Sequence, residues 1–233
     1  MQDSAKTSKT ARTVLIVLVT LIVGGAITYP FAHMMGKDSV NQTASTSMST
    51  STTTKAADLR ATLNNLLREH VTTNLTVSYN IIDNAPDAKL QASLDAQTAN
   101  AVAIATAVGS VYGDEAKTAV TAPFVEHLTQ SNNYAKAVHA GDTAAEATSL
   151  TALQASLRDV ANVFNSVIPS LSSDTLYSAL NDHETLMNKV AMAYQAGDYA
   201  MAYQLEAEAL TQISGGADAI AGGIVTAKPE LFK

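Results

Sequence analysis

The chain contains no cysteine. That excludes a disulfide framework, an iron–sulfur cluster, a thiolate metal site and thiol catalysis. It has no tryptophan, and aromatics make up only 5% of its 233 residues. Proline and glycine are scarce, at 5 and 11 residues, so few positions resist a helix. Cations are outnumbered by anions, 14 against 21, and the formal net charge is −7. No basic patch with interleaved aromatics is present, which argues against nucleic acid as a partner. Enzyme signatures are missing as well. There is no G-x-S-x-G elbow, no phosphate-binding glycine loop and no E-x-x-H pair of a di-iron bundle. His183-Glu184 is not followed by the second histidine of H-E-x-x-H. The chain therefore reads as non-catalytic.

Alanine, leucine, valine and threonine dominate what is there, and apolar residues recur at helical spacing. Residues 1–12 are polar and carry Lys6, Lys9 and Arg12. Residues 13–32, TVLIVLVTLIVGGAITYPFA, hold no charge. At ~1.5 Å rise per residue such a run spans the ~30 Å hydrocarbon core of a bilayer. It is longer than the ~7–15-residue apolar region of a signal peptide and lacks a small-x-small cleavage site. We expect an uncleaved single-pass signal anchor in the cell membrane, with the cationic N-terminus in the cytoplasm. Residues 33–56, rich in serine and threonine, read as a flexible linker. Residues 57–233 read as an exported helical domain. Setting aside Asp3 and the three N-terminal cations leaves 20 anions and 11 cations, or −9, beyond the anchor.

Glu69-His70, Glu126-His127 and Asp182-His183 recur at gaps of 57 and 56 residues. Three residues before these histidines lie Leu67, Phe124 and Leu180, and seven before lie Leu63, Val120 and Leu176. Seven after lie Val77, Tyr134 and Val190, and eleven after lie Ile81, Val138 and Tyr194. These offsets trace one helical face with the histidine in its middle. Fourteen residues past each histidine comes a helix-ending Asn84, Gly141 or Gly197. Asp142 and Asp198 then suit the start of a following helix. A second apolar pattern follows each break. The fold class is thus all-α: a six-helix up-and-down bundle or stack of three αα-hairpin repeats, at about 57–112, 113–169 and 170–227. Pro123 falls inside the third helix and predicts a kink or a fresh start there.

In an up-and-down arrangement the first helices of the hairpins run parallel, so His70, His127 and His183 converge if those helices adjoin. Three imidazoles around an open position form a site for copper or zinc. Glu69, Glu126 and Asp182 are candidate hydrogen-bond partners to the imidazole nitrogens, or additional ligands. Haem is a weaker variant, since it needs a roomy apolar pocket that no pattern here indicates. Met187, one turn after His183, is a further soft ligand for Cu(I) or simple packing. The alternative reading is a structural or protein-interaction module at the cell surface, with the three histidines as buried ties to acidic residues of adjoining hairpins. Its partners would be the bilayer, through residues 13–32, and a cell-surface or membrane protein. His33 and His139 take no site role.

"LRATLNNLLREH", "VGSVYGDEA", "AGDY" and the closing "KPELF" resemble a family of exported helical-repeat proteins of Gram-positive bacteria. The resemblance covers residues 57–232. Some members accompany a domain named after the N-terminal region of copper amine oxidase. That name belongs to the companion domain and implies no oxidase activity here. The resemblance implies export and a bacterial source, and brings no ligand with it.

Overall fold

The computed structural model describes residues 54–233, and the tail, anchor and nearly all of the linker expected above lie outside them. Six helices follow one another: α1 (Lys55–Ile82), α2 (Asp87–Tyr112), α3 (Asp114–Ala140), α4 (Thr143–Val167), α5 (Ser173–Gln195) and α6 (Tyr199–Ala227), with a closing 3₁₀ turn, Pro229–Phe232. No strand occurs among the described residues. No described helix is long and apolar enough to cross a membrane. Lys55 and Ala56, assigned to the linker from sequence, form the first turn of α1.

The helix ends are written in side-chain chemistry. Thr54, Asp142, Ser172 and Asp198 each turn a side-chain oxygen back onto a backbone N–H of the turn that follows. This satisfies donors that a helix start otherwise leaves open, at a value of about 1 kcal/mol each. The three breaks inside the hairpins have left-handed backbone, with φ of 50° at Asn84, 66° at Gly141 and 75° at Gly197. Only glycine, or asparagine at modest cost, holds that conformation easily. Gly113, at φ 90°, separates the first hairpin from the second.

Sequential helices pack side by side, and α6 returns to lie along α1. The α1–α6 seam is antiparallel. Arg60 pairs with Asp218, Ser214 donates to Asn64, and Arg68 donates to the Leu210 carbonyl, so the partners run in opposite order along the two helices. Helix α1 also packs against α3 and α5, and α3 touches α5. The three hairpins thus form a closed ring whose first helices face one another inside.

The core fills the space between these faces with Leu63, Leu67 and Val71 of α1, Ile104 and Val108 of α2, Val120 and Phe124 of α3, Phe164 of α4 and Ile213 and Ile224 of α6. Alanine and glycine let some helices approach closely. A Cβ added at Gly109 of α2 would stand 2.6 Å from Lys117 Cβ of α3. Pro123 starts no new helix: α3 runs unbroken across it from Asp114 to Ala140.

Candidate functional site

His70 of α1, His127 of α3 and His183 of α5 occupy the same level of the bundle because each is the middle of its hairpin's apolar stripe. All three are buried, at 2%, 2% and 3% exposure. The His70 ring centre lies 6.0 Å from that of His127 and 6.1 Å from that of His183, with ring planes tilted by 38° and 35°. The edge of Phe124 packs on His70 at 5.2 Å, and Phe164 meets Phe124 at 6.4 Å. A cavity of about 100 Å³ opens beside the rings. Leu67, Phe124, Val160, Phe164, Ile213 and Ile220 supply apolar walls. On α5, Leu176 and Leu180 border the same cavity and are only half-buried, unlike their counterparts Leu63, Leu67, Val120 and Phe124. The third repeat is where the apolar stripe is left partly uncovered.

Burial keeps the rings neutral. It pushes His70 well below the usual 6.5, with His127 and His183 adding repulsion. It pushes His127 down to about 3, again with repulsion from His183. His183 goes down to about 4, against a hydrogen bond to Gln212 that acts the other way. Neutral imidazole is the form that binds a metal. His183 Nδ1 lies 3.1 Å from Gln212 Oε1. An Nδ1–H donated to that amide oxygen leaves Nε2 with its lone pair. That Nε2 has no partner, and neither do Nδ1 of His70 or Nδ1 of His127. Buried polar atoms without partners are rare, and here three lie on neighbouring rings.

The carboxylates that precede the histidines do not face the rings. Glu69, Glu126 and Asp182 lie on exposed faces of their helices. Glu69 accepts from Asn100 and Glu126 accepts from Gln130. One residue before a buried helical position is about 100° around the axis, and here that rotation leads outward. Met187 is buried in the core, and His139 stands in the last turn of α3.

The carboxyl beside the trio is Glu184, 4% exposed. Ser131 Oγ donates to its Oε1 at 2.8 Å. Its Oε2 lies 4.0 Å from His127 Nε2 and has no hydrogen-bond partner. Burial raises this carboxyl from 4.5 to about 7, with the Ser131 hydrogen bond opposing. Next to a neutral His127, the contact is therefore no ordinary ion pair. Other buried polar groups pair between helices: Asn132 and Gln97 exchange amide hydrogen bonds at 2.8 and 3.4 Å, and Asn100 donates to the Leu66 carbonyl at 2.9 Å. Sequence reasoning missed Glu184, Gln97, Asn132 and Gln212. For Glu184 a signal existed. The residue after the histidine is Val71 in the first repeat and Leu128 in the second, both core residues. A charge at the third is a departure from the pattern.

Among the described residues, no three histidine, aspartate or glutamate side chains stand in metal-coordinating geometry. A tetrahedral metal with ~2.0–2.1 Å bonds to nitrogen holds imidazole centres roughly 5 Å apart. His70 stands about 1 Å farther than that from each of its two neighbours. No family model matches the chain, and no match is found among the curated proteins or the solved structures.

Proposed function

We propose that the protein is a membrane-anchored, extracytoplasmic, non-catalytic module that holds a copper or zinc ion through His70, His127 and His183. One observation carries the reading. Three neutral imidazoles from three separate hairpins meet in the interior, and each keeps a ring nitrogen without a partner. Burying such nitrogens unsatisfied costs about 1–3 kcal/mol apiece, which an occupant would offset. The His183–Gln212 bond supports the same reading, since metal-binding histidines commonly donate their other N–H to a fixed oxygen. The anchor and the outward placement of the domain rest on the uncharged run 13–32 and the cations before it.

Replacing all three histidines by alanine in the full chain tests the function. The wild type should bind Cu or Zn at one ion per chain, and the variant should lose binding while keeping its helical circular dichroism. A wild type that binds neither metal sinks the proposal. The alternative, a cell-surface interaction module, draws on a different feature. Tyr199, Met201 and Tyr203 at the start of α6 are exposed at 53%, 44% and 63%, close to the stacked pair Tyr79–Tyr194. Under that reading the Tyr199→Ser/Tyr203→Ser double variant loses a surface partner and the histidine variant does not.

A further inference from the structure

The cavity beside the rings has a mouth. Of its lining residues, those that are not buried are Leu176, Ala179 and Leu180 on α5 and Gln212 and Gly216 on α6. The rest are buried, so the cavity reaches the surface between the two helices of the third hairpin. Small residues make the opening. Ala179 is exposed and lies four residues before His183, where the first repeat has Leu66 and the second Pro123. On α6, a Cβ added at Gly216 would meet nothing within 4 Å.

Inside, the cavity joins apolar walls to hydrogen-bonding capacity. Its walls are mostly aliphatic and aromatic, with Phe124 and Phe164 meeting edge to face. His70, His127 and His183 line it too, and each keeps a ring nitrogen without a hydrogen bond. A neutral imidazole carries one N–H and one lone pair, so it serves either a donor or an acceptor. A hydroxyl is both. A charged ligand is excluded by the cost of desolvation among apolar walls. An enclosed apolar cavity of about 150 Å³ takes benzene. At about 100 Å³ with one side open, this cavity is sized for a single ring.

We propose that this cavity binds a small neutral phenol, its ring against Phe124 and Phe164 and its hydroxyl turned to the imidazoles. The apolar part is recognised by buried area and by edge contacts between aromatic rings. The hydroxyl decides between ligands. In a purely apolar cavity a hydroxyl is a burden, because it loses water and gains no partner, and benzene is preferred. Where the wall offers a partner, the order reverses. This site goes beyond the metal reading and does not require it, since it is a property of the metal-free chain.

The test titrates phenol and benzene calorimetrically into the full chain with a chelator present, using wild type, Ala179→Phe and Gly216→Ala. Wild type should bind one phenol per chain, and benzene about tenfold more weakly, the worth of one hydrogen bond. Ala179→Phe sets a ring in the mouth and should abolish binding. Gly216→Ala puts a methyl into open space within the cavity and should weaken phenol by about threefold or more. Alanine suits a helix better than glycine, so this variant still reports if the bulkier one fails to fold. Benzene binding as tightly as phenol, or more tightly, overturns the proposal, and so does a wild type that binds neither. Phenol affinity unchanged in Gly216→Ala puts the ligand elsewhere and overturns it too. With the chelator present, none of these outcomes bears on copper or zinc, which a separate metal titration decides.

Discussion

Acid should unfold the metal-free protein by a route that can be reckoned from four buried groups. His70, His127 and His183 all titrate far below the value of a free imidazole when folded. Between pH 7 and 5 the unfolded chain takes up their protons and the folded chain does not, so stability falls. With an unfolded value of 6.5, His127 and His183 each cost about 1.9 kcal/mol over that interval, about 4 together, and His70 acts in the same direction. Glu184 works in the opposite sense. Its folded value, about 7, lies above the unfolded 4.5, so the folded chain takes up this proton first and gains about 2 kcal/mol over the same interval. The net loss from His127, His183 and Glu184 is about 2 kcal/mol, to which His70 adds, a sizeable part of the ~5–15 kcal/mol that holds a domain together. Urea unfolding of the full chain, followed at 222 nm with a chelator present, should show a midpoint lower by roughly 1 M or more at pH 5 than at pH 7, taking a slope of ~2 kcal/mol per molar urea. Two variants separate the terms. His127→Leu should reduce the loss by about 2 kcal/mol, and Glu184→Gln should increase it by about 2 kcal/mol. A midpoint that does not move between pH 7 and 5, or that moves equally in wild type and both variants, refutes the argument that these four groups are buried and neutral at pH 5.

Phe124→Ala should destabilise by about 3–5 kcal/mol in thermal unfolding, because the ring is buried against His70 and Phe164 beside an existing cavity. Gly109→Ala should lose about 1–2 kcal/mol despite alanine's better helix propensity, since the new methyl meets Lys117 Cβ at 2.6 Å; a stabilised variant would show that α2 and α3 separate easily. Arg60→Ala should leave the urea midpoint where it is, because the Arg60–Asp218 pair is exposed on both sides.

Much of the fold was legible because the repeat writes its own boundaries. Asn84, Gly141 and Gly197 are the residues that tolerate left-handed backbone, and the helices end there. Asp142 and Asp198 cap α4 and α6 as their chemistry suggests. The stripe around each histidine placed the rings inside, and the parallel first helices brought them together. Pro123 was misleading as a possible helix start: only one backbone donor is lost at a proline, and the rest of α3 holds the helix across it. The surroundings of the rings were harder to read. The recurring acids Glu69, Glu126 and Asp182 drew attention because they repeat, but repetition there marks an outward face. The carboxyl that does lie against a ring occurs once, in one repeat. Gln97 and Asn132 hide for a related reason: in a periodic pattern a polar residue reads as solvent-facing, and only the facing helix reveals that two amides satisfy each other.

The origin of the three rings on three different hairpins has a bearing on biogenesis. No hairpin owns the cluster, so a chain cut short after the second repeat would carry two rings facing a gap, and a nick near Gly113 or between α4 and α5 would let the third drift away. A metal held by the rings, as proposed above, would be recognised by the finished polypeptide alone. Its binding would favour the completed form by mass action and act as a clasp across all three units, so that occupancy would double as a proofreading mark for a correctly assembled molecule.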